Sequence, residues 1–429
     1  MKDMKDSGIS WMGSIPSDWK VEKVKHGFVR KKSEAHQNNP TVLSLARSGV
    51  KERDISTNEG QIAESYYNYN PVDIDDLLIN PMDLYSGANC SISKIQGVIS
   101  PAYVNLRFKN GYNPEYYDYY FKIQYWMLAF FAHGKGVSFD NRWTLNAETL
   151  MNYPIIVPSY KEQCAIVDFL VAKCAQIDSI ITKHEECIEK LKEYKLSIIT
   201  EAVTNGLDPK SEMKESGIEW IGKIPSNWKV VKMKTMIDCL PGYAFESDNY
   251  QTDNGIRLLR GVNVTPSGIR WNDVVFWSEK SLDSLDHYFL RENDIVVGLD
   301  RPWISEGMRA CIVEKKDLPC LLLQRVCRIR VTGAHDFRWI YHWLKSASFE
   351  NVLSIETTGV SVPHISTKQI DNFVIAVPPQ EEERQICDHI EKKTALIDSR
   401  IHAHTQAIDS LNEYKKSIIY EVVTGKKEV

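Results

Sequence analysis

The stretch MKDSGISWMGSIPSDWKVEKVK, Met4 to Lys25, returns as MKESGIEWIGKIPSNWKVVKMK, Met213 to Lys234, with about 15 of 22 positions identical. A second block also occurs twice, as QIDSIITKHEECIEKLKEYKLSIITEAVT from Gln176 and LIDSRIHAHTQAIDSLNEYKKSIIYEVVT from Leu396. The first block repeats at an offset of 209 and the second at 220, so the second intervening region is about 11 residues longer. Between the blocks the halves share almost no sequence. Two matched blocks in the same order mean a duplicated scaffold with two different inserts, predicted to be related by an approximate two-fold axis within the chain. That layout suits a two-site reader; an old duplication whose inserts merely drifted is the alternative.

The second block sets the spacing of the scaffold. Leu170, Ile177, His184, Leu191 and Ile198, with Cys174, Ile181, Ile188, Lys195 and Ala202, recur every seven residues. The copy keeps the register through Ile390, Ile397, His404, Leu411 and Ile418, with Thr394, Ile401, Ile408, Lys415 and Val422. Heptad spacing predicts two long antiparallel helices in a coiled coil. Pro158 and Pro378-Pro379 mark their starts, and Thr204-Asn205-Gly206 and Thr424-Gly425 their stops. Some 40 to 45 residues make a rod of roughly 60 to 65 Å. Helix pairing is expected through His184, His404, Leu191 and Leu411, the two histidines being the polar candidates for meeting near the axis.

The inserts read differently, as short β-branched and aromatic runs (Asp76 to Asn80, Val98 to Phe108, Asp294 to Leu299, Cys320 to Val331) broken by Gly, Pro, Asn and Asp. One helix is predicted in each, Glu115 to Ala132 and His335 to Leu353. The fold class is therefore α+β. The first insert domain should span residues 1–158, the central helix 159–205, a linker with the repeated opening block 206–228, the second insert domain 229–378 and the distal helix 379–429. Trp11, Trp19, Trp220 and Trp228 of the opening blocks are read as structural anchors.

A chain of 429 residues with 43% hydrophobic content holds ample material for two cores. It has no run of roughly 20 apolar residues and opens without an apolar leader, so a cytoplasmic protein without a membrane partner is expected. The nine cysteines stand singly, with no Cys-x-x-Cys pair for zinc or redox chemistry, and are read as reduced thiols. A net charge of -5 looks unfavourable for nucleic acid. Its distribution answers this: residues 20–158 sum to about +1, residues 229–378 to about zero, and each helical stretch to about -2.

Catalysis finds no support in the sequence. Asn80-Pro81-Met82-Asp83 lacks the aromatic fourth residue with which amino-methyltransferases hold a flipped base. Gly134-Lys135-Gly136 is too short for a cofactor loop, and no Walker loop, His-Glu-x-x-His or nuclease cluster is visible.

Taken together, the Ser-Gly-Ile-x-Trp block twice, the Glu/Gln-rich helix starts (Pro158 to Gln163, Pro378 to Gln385) and the Ile-Asp to Tyr-Lys-x-Ser-Ile-Ile helix twice resemble the specificity subunits of type I restriction-modification systems. The second insert is also similar to a known recognition-domain type through Asp294-Ile-Val-Val-Gly-Leu-Asp-Arg-Pro-Trp303 and Leu322-Leu-Gln-Arg-Val326. The first resembles another through Val42-Leu-Ser-Leu45, Arg53-Asp54 and Ser100-Pro-Ala-Tyr103. The resemblance implies two target recognition domains, each reading half of a split double-stranded DNA site. It implies helices that set the spacing and hold two methyltransferase subunits, with restriction/translocase subunits as further partners. No cofactor is expected in this chain; S-adenosylmethionine, ATP and Mg would sit on the partner subunits. A coiled-coil scaffold with two protein-binding ends is the competing reading.

Base readout needs donors and acceptors on rigid loops. In the first insert the candidates are Arg47, Lys51, Arg53, Tyr85, Asn89, Lys135, Ser138 and Arg142. In the second they are Arg260, Asn263, Arg301, Gln324, Arg325, Ser361 and His364.

Overall fold

The computed structural model describes residues 3–46, 48–55, 63–82, 84, 89–136, 143–279, 282, 284–356 and 363–429. The chain forms two compact units, residues 1–184 with 406–429 and residues 185–405, and each of the two long helices contributes to both. The class is α+β, as expected. The helices run Tyr160–Asn205 and Gln380–Val423. Ser159 and Glu162 close a reciprocal box at the first start, the Ser159 backbone N–H donating to Glu162 Oε2 at 3.0 Å and the Glu162 N–H to Ser159 Oγ at 3.3 Å. Gly206 and Gly425, at φ 75° and 73°, end the helices in the left-handed conformation that glycine adopts without penalty.

In the first unit the sheet has four antiparallel strands in the order Phe28–Lys31, Val104–Phe108, Leu77–Ile79, Cys90–Ile92. The helix Pro114–Trp126 packs on it, capped by Asn113, whose side chain accepts from the Tyr116 N–H. The core is aromatic, built on Tyr116, Tyr117, Tyr120, Phe121, Phe28 and Phe130, all fully buried. Lys20–Lys23 pairs antiparallel with Pro154–Val157, so the first and last strands of the insert lie side by side. From that base Tyr160 begins the central helix. Its Ile166, Leu170 and Ile177 share one core with Ile418, Ile419 and Val422 of the distal helix.

The second unit repeats this plan. Ile237–Pro241, Val326–Val331, Ile295–Gly298 and Ala310–Ile312 form a four-stranded antiparallel sheet with the same connectivity. Lys229–Lys232 pairs with Val374–Val377. A smaller three-stranded sheet is added, in which Ile256–Leu259 lies parallel to Cys320–Leu322. Trp228, Trp339 and Trp343 are the largest buried anchors of the second unit's main core.

Several predicted elements are shorter than expected: the helix Glu115 to Ala132 ends at Trp126, and Val98 to Phe108 is two strands, Gly97–Ile99 and Val104–Phe108. His335 to Leu353 is two helices, Phe337–Leu344 and Ala347–Glu356, because the Ser346 hydroxyl donates to Trp343 O and accepts from the Phe349 N–H, ending one helix and capping the next. Cys320 to Val331 is two strands, interrupted where Arg325 takes φ 70°.

The two lysines at apolar seam positions are explained by ion pairs within each unit. Lys415 Nζ lies 2.6 Å from Asp178 in the first unit and Lys195 Nζ 2.7 Å from Asp398 in the second. All nine cysteines are free thiols. Among the described residues no helix is long and apolar enough to cross a membrane.

Candidate nucleic-acid interface

In each unit a buried aspartate begins the second strand of the sheet and meets an arginine on the neighbouring strand. Asp76 accepts from Arg107 Nε at 2.8 Å and from Lys31 Nζ at 2.9 Å. Asp294 takes Arg330 in a two-pronged pair, both contacts 2.6 Å. The strand registers make these pairs equivalent, since Leu106 faces Leu77 and Ile329 faces Ile295. Such a pair anchors the strand whose far end opens into the candidate loops.

Those loops converge in the second unit through backbone bonds. Leu299 N–H donates to Arg325 O at 2.9 Å and Arg301 N–H to Pro363 O at 2.7 Å. Arg309 lies beneath them, its Nη1 donating to Asp300 O at 2.9 Å and its Nε to Val264 O at 3.2 Å. Burial pulls its guanidinium below the usual arginine range. Exposed on top are Arg301, Gln324, Arg325 and His364. The structure therefore brings four of the predicted second-insert residues to one surface.

Two predicted readers are held by contacts within the insert. Asn263 is 1% exposed, its Oδ1 accepting from Arg260 N–H and its Nδ2 donating to the carbonyls of Arg270 and Asp273. It closes a turn, its side-chain amide engaged by backbone partners inside the insert. Arg260 is turned onto Asp273, with Nη2 2.7 Å from the carboxylate and 2.6 Å from the carbonyl. It serves as an internal clamp. Both are polar residues beside a strand, the usual place of a reader, and their burial and internal partners are set by contacts that residue type does not show.

In the first unit the matching loops also gather at one end of the sheet. Leu84 N–H donates to Trp143 O at 3.2 Å and Leu145 N–H to Pro81 O at 2.8 Å. Lys135 is exposed and bridges to Thr144. Lys51 is exposed on the hairpin Leu43–Ala46 to Gly49–Glu52, and Arg53, half-buried, follows it. Asn89 donates its amide to Ala46 O, tying the loop to that hairpin. Arg47, Tyr85, Ser138, Arg142 and Ser361 lie outside the described residues. His184 and Leu411 belong to the first unit and His404 and Leu191 to the second. All four are half-buried.

Sequence reasoning missed Asp76, Asp294, Asp300 and Arg309. The signal for the buried aspartates was an Asp directly before a three-residue apolar run in both inserts.

Residues 225–409 match the family described as the Type I restriction modification DNA specificity domain. The chain is 33% identical over 210 residues to the type I restriction enzyme EcoAI specificity subunit of Escherichia coli, covering 48% of this chain and 35% of that one. It is 28% identical over 362 residues to the type I restriction enzyme MjaVIII specificity subunit of Methanocaldococcus jannaschii, covering 82% of this chain and 81% of the relative. The match thus spans about a third of the bacterial relative and about four fifths of the archaeal one. A solved chain from work on complex assembly and conformational transition of the type I R-M system superposes with a TM-score of 0.69 at 15% identity, covering 96% of this chain and 99% of that chain, which shows a shared fold. With the duplicated frame and its unlike loops, these matches make the chain similar to the type I restriction-modification specificity subunits, the specificity-domain match lying in residues 225–409.

Proposed function

We propose that this chain recognises a bipartite double-stranded DNA target, one half-site per insert, and directs two methyltransferase subunits and restriction/translocase subunits to it. The observation that carries this reading is one frame built twice, with loops of different chemistry at equivalent ends of the two sheets. Arg301, Gln324, Arg325 and His364 supply donors and acceptors suited to base edges in the second half-site. Lys51, Arg53 and Lys135 are the described candidates for the first. The chain acts without catalysis of its own in the cytoplasm; methyl transfer with S-adenosylmethionine and the ATP- and Mg-dependent steps belong to the partners. The two relatives described above, both specificity subunits, do not favour the protein-scaffold alternative.

The test exchanges residues 20–157 for the first insert of another family member, followed by sequencing of methylated sites in a host carrying the chain with its methyltransferase. One half-site should change and the other persist. A change in both would overturn the modular reading, and DNA binding whose affinity does not fall with salt would favour the scaffold.

A further inference from the structure

Asp300 sits beside the exposed Arg301 and Arg325 of the second insert, on a surface proposed to face the bases of polyanionic DNA, where a carboxylate is electrostatically out of place. Its contacts give it a purpose. Oδ1 lies 2.7 Å from His364 Nδ1 and 3.6 Å from Arg325 Nη1. Its backbone bridges that of His364, and its carbonyl holds Arg309. The two arginines nearest in the loops, Arg301 at φ 45° and Arg325 at φ 70°, both adopt left-handed backbone. That conformation is unfavourable for a long L side chain and persists only where the surroundings impose it. Asp300 and His364 remain about 36% and 42% exposed, so the pair is reachable by a ligand.

A carboxylate beside Nδ1 selects the imidazole tautomer with the proton on that nitrogen, leaving a lone pair on Nε2. In the major groove an acceptor of that kind pairs with an exocyclic amine, adenine N6 or cytosine N4. We propose that Asp300 is a positioning residue for sequence readout, holding His364 so that Nε2 accepts from a base amine and directing Arg325 beside it. This rests on the DNA-reading function proposed above.

The experiment uses the full chain assembled with its methyltransferase subunits and a library of DNA duplexes randomised across both half-sites. D300A should lower the preference for the amine-bearing base at one position of one half-site by about tenfold, the scale of a lost base contact. D300N keeps an oxygen that accepts from Nδ1–H and should restore most of that preference. H364A should affect the same position, and the double variant D300A/H364A should be no worse than H364A. A uniform loss across all sequences, a D300N no better than D300A, or effects of D300A and H364A at different positions would overturn the proposal. If D300A does not fold, judged by its melting temperature, D300N against H364A decides: only H364A should change the position, and a loss of the same preference in D300N overturns the idea. A wild-type chain selecting no sequence would instead remove the DNA-reading function itself.

Discussion

The two inserts share a frame and almost no sequence. Both place an aspartate opposite an arginine in the same register of the same four-stranded sheet. Both also hang their helix on a long helix through one side chain. Gln163 accepts from the Asn113 N–H at 2.7 Å in the first unit, and Glu383 accepts from the Asp336 N–H in the second. Their interiors differ, tyrosine and phenylalanine filling one, tryptophan and aliphatic side chains the other. A sheet of this kind is thus specified by alternation of burial and by a few polar fixed points, while core residues vary if volume is kept. Loops at the open end are then free to diverge.

The largest expected difference between the inserts is acid sensitivity. His342, on the helix Phe337–Leu344, is held neutral down to about 3 by burial and by the nearby Arg338. Its pKa is depressed on folding, so its contribution is intact above the unfolded value of about 6.5 and is lost as pH falls toward 3, at roughly 1.4 kcal/mol per pH unit. The first insert's helix contains no histidine. Hydrogen exchange resolved by peptide, corrected for intrinsic rate, should show the second unit loosening between pH 6.5 and 4 far more in wild type than in H342L. Equal acid profiles in the two proteins would remove His342 as the cause.

Next come the shared aspartates. D76A and D294A each leave donors facing an empty place and should destabilise their own unit by on the order of 3 kcal/mol, read from denaturant midpoints and unit-resolved exchange. A large effect of one with none of the other would break the equivalence argued from register. The smallest effect belongs to the duplicated ion pairs. K195A and K415A remove pairs whose carboxylates are more than half exposed, so each should cost at most about 1 kcal/mol, less in high salt, and both should cost alike. A much larger effect of either would show that the copies have diverged in role.

The long helices were legible because their limits are local: a proline, a capping box, a glycine. Burial follows the heptad reading at Leu170, Ile177, Ile390 and Ile418, and fades to half-burial at Leu191 and Leu411. What the sequence hid is non-local. Lys195 finds its carboxylate 203 residues away, and Arg107 meets Asp76 only because two strands pair. The break at Ser346 depends on a hydroxyl choosing backbone partners, which propensity does not foresee. The partners of Asn263 are hidden for the same reason, its residue type fitting a reader while its hydrogen bonds tie it into a turn.

The composition of the units also orders their birth on the ribosome. Residues 185–405 form one continuous unit, whereas residues 1–184 need residues 406–429. The Tyr116 hydroxyl donates to Val423 O at 2.9 Å, and Ile418, Ile419 and Val422 close the same core. At about 5–20 residues per second, translation of the intervening 221 residues takes roughly 10 to 45 s. For that time the nascent first unit carries an uncovered apolar stripe on the early turns of its helix, so the unit begun first is completed last.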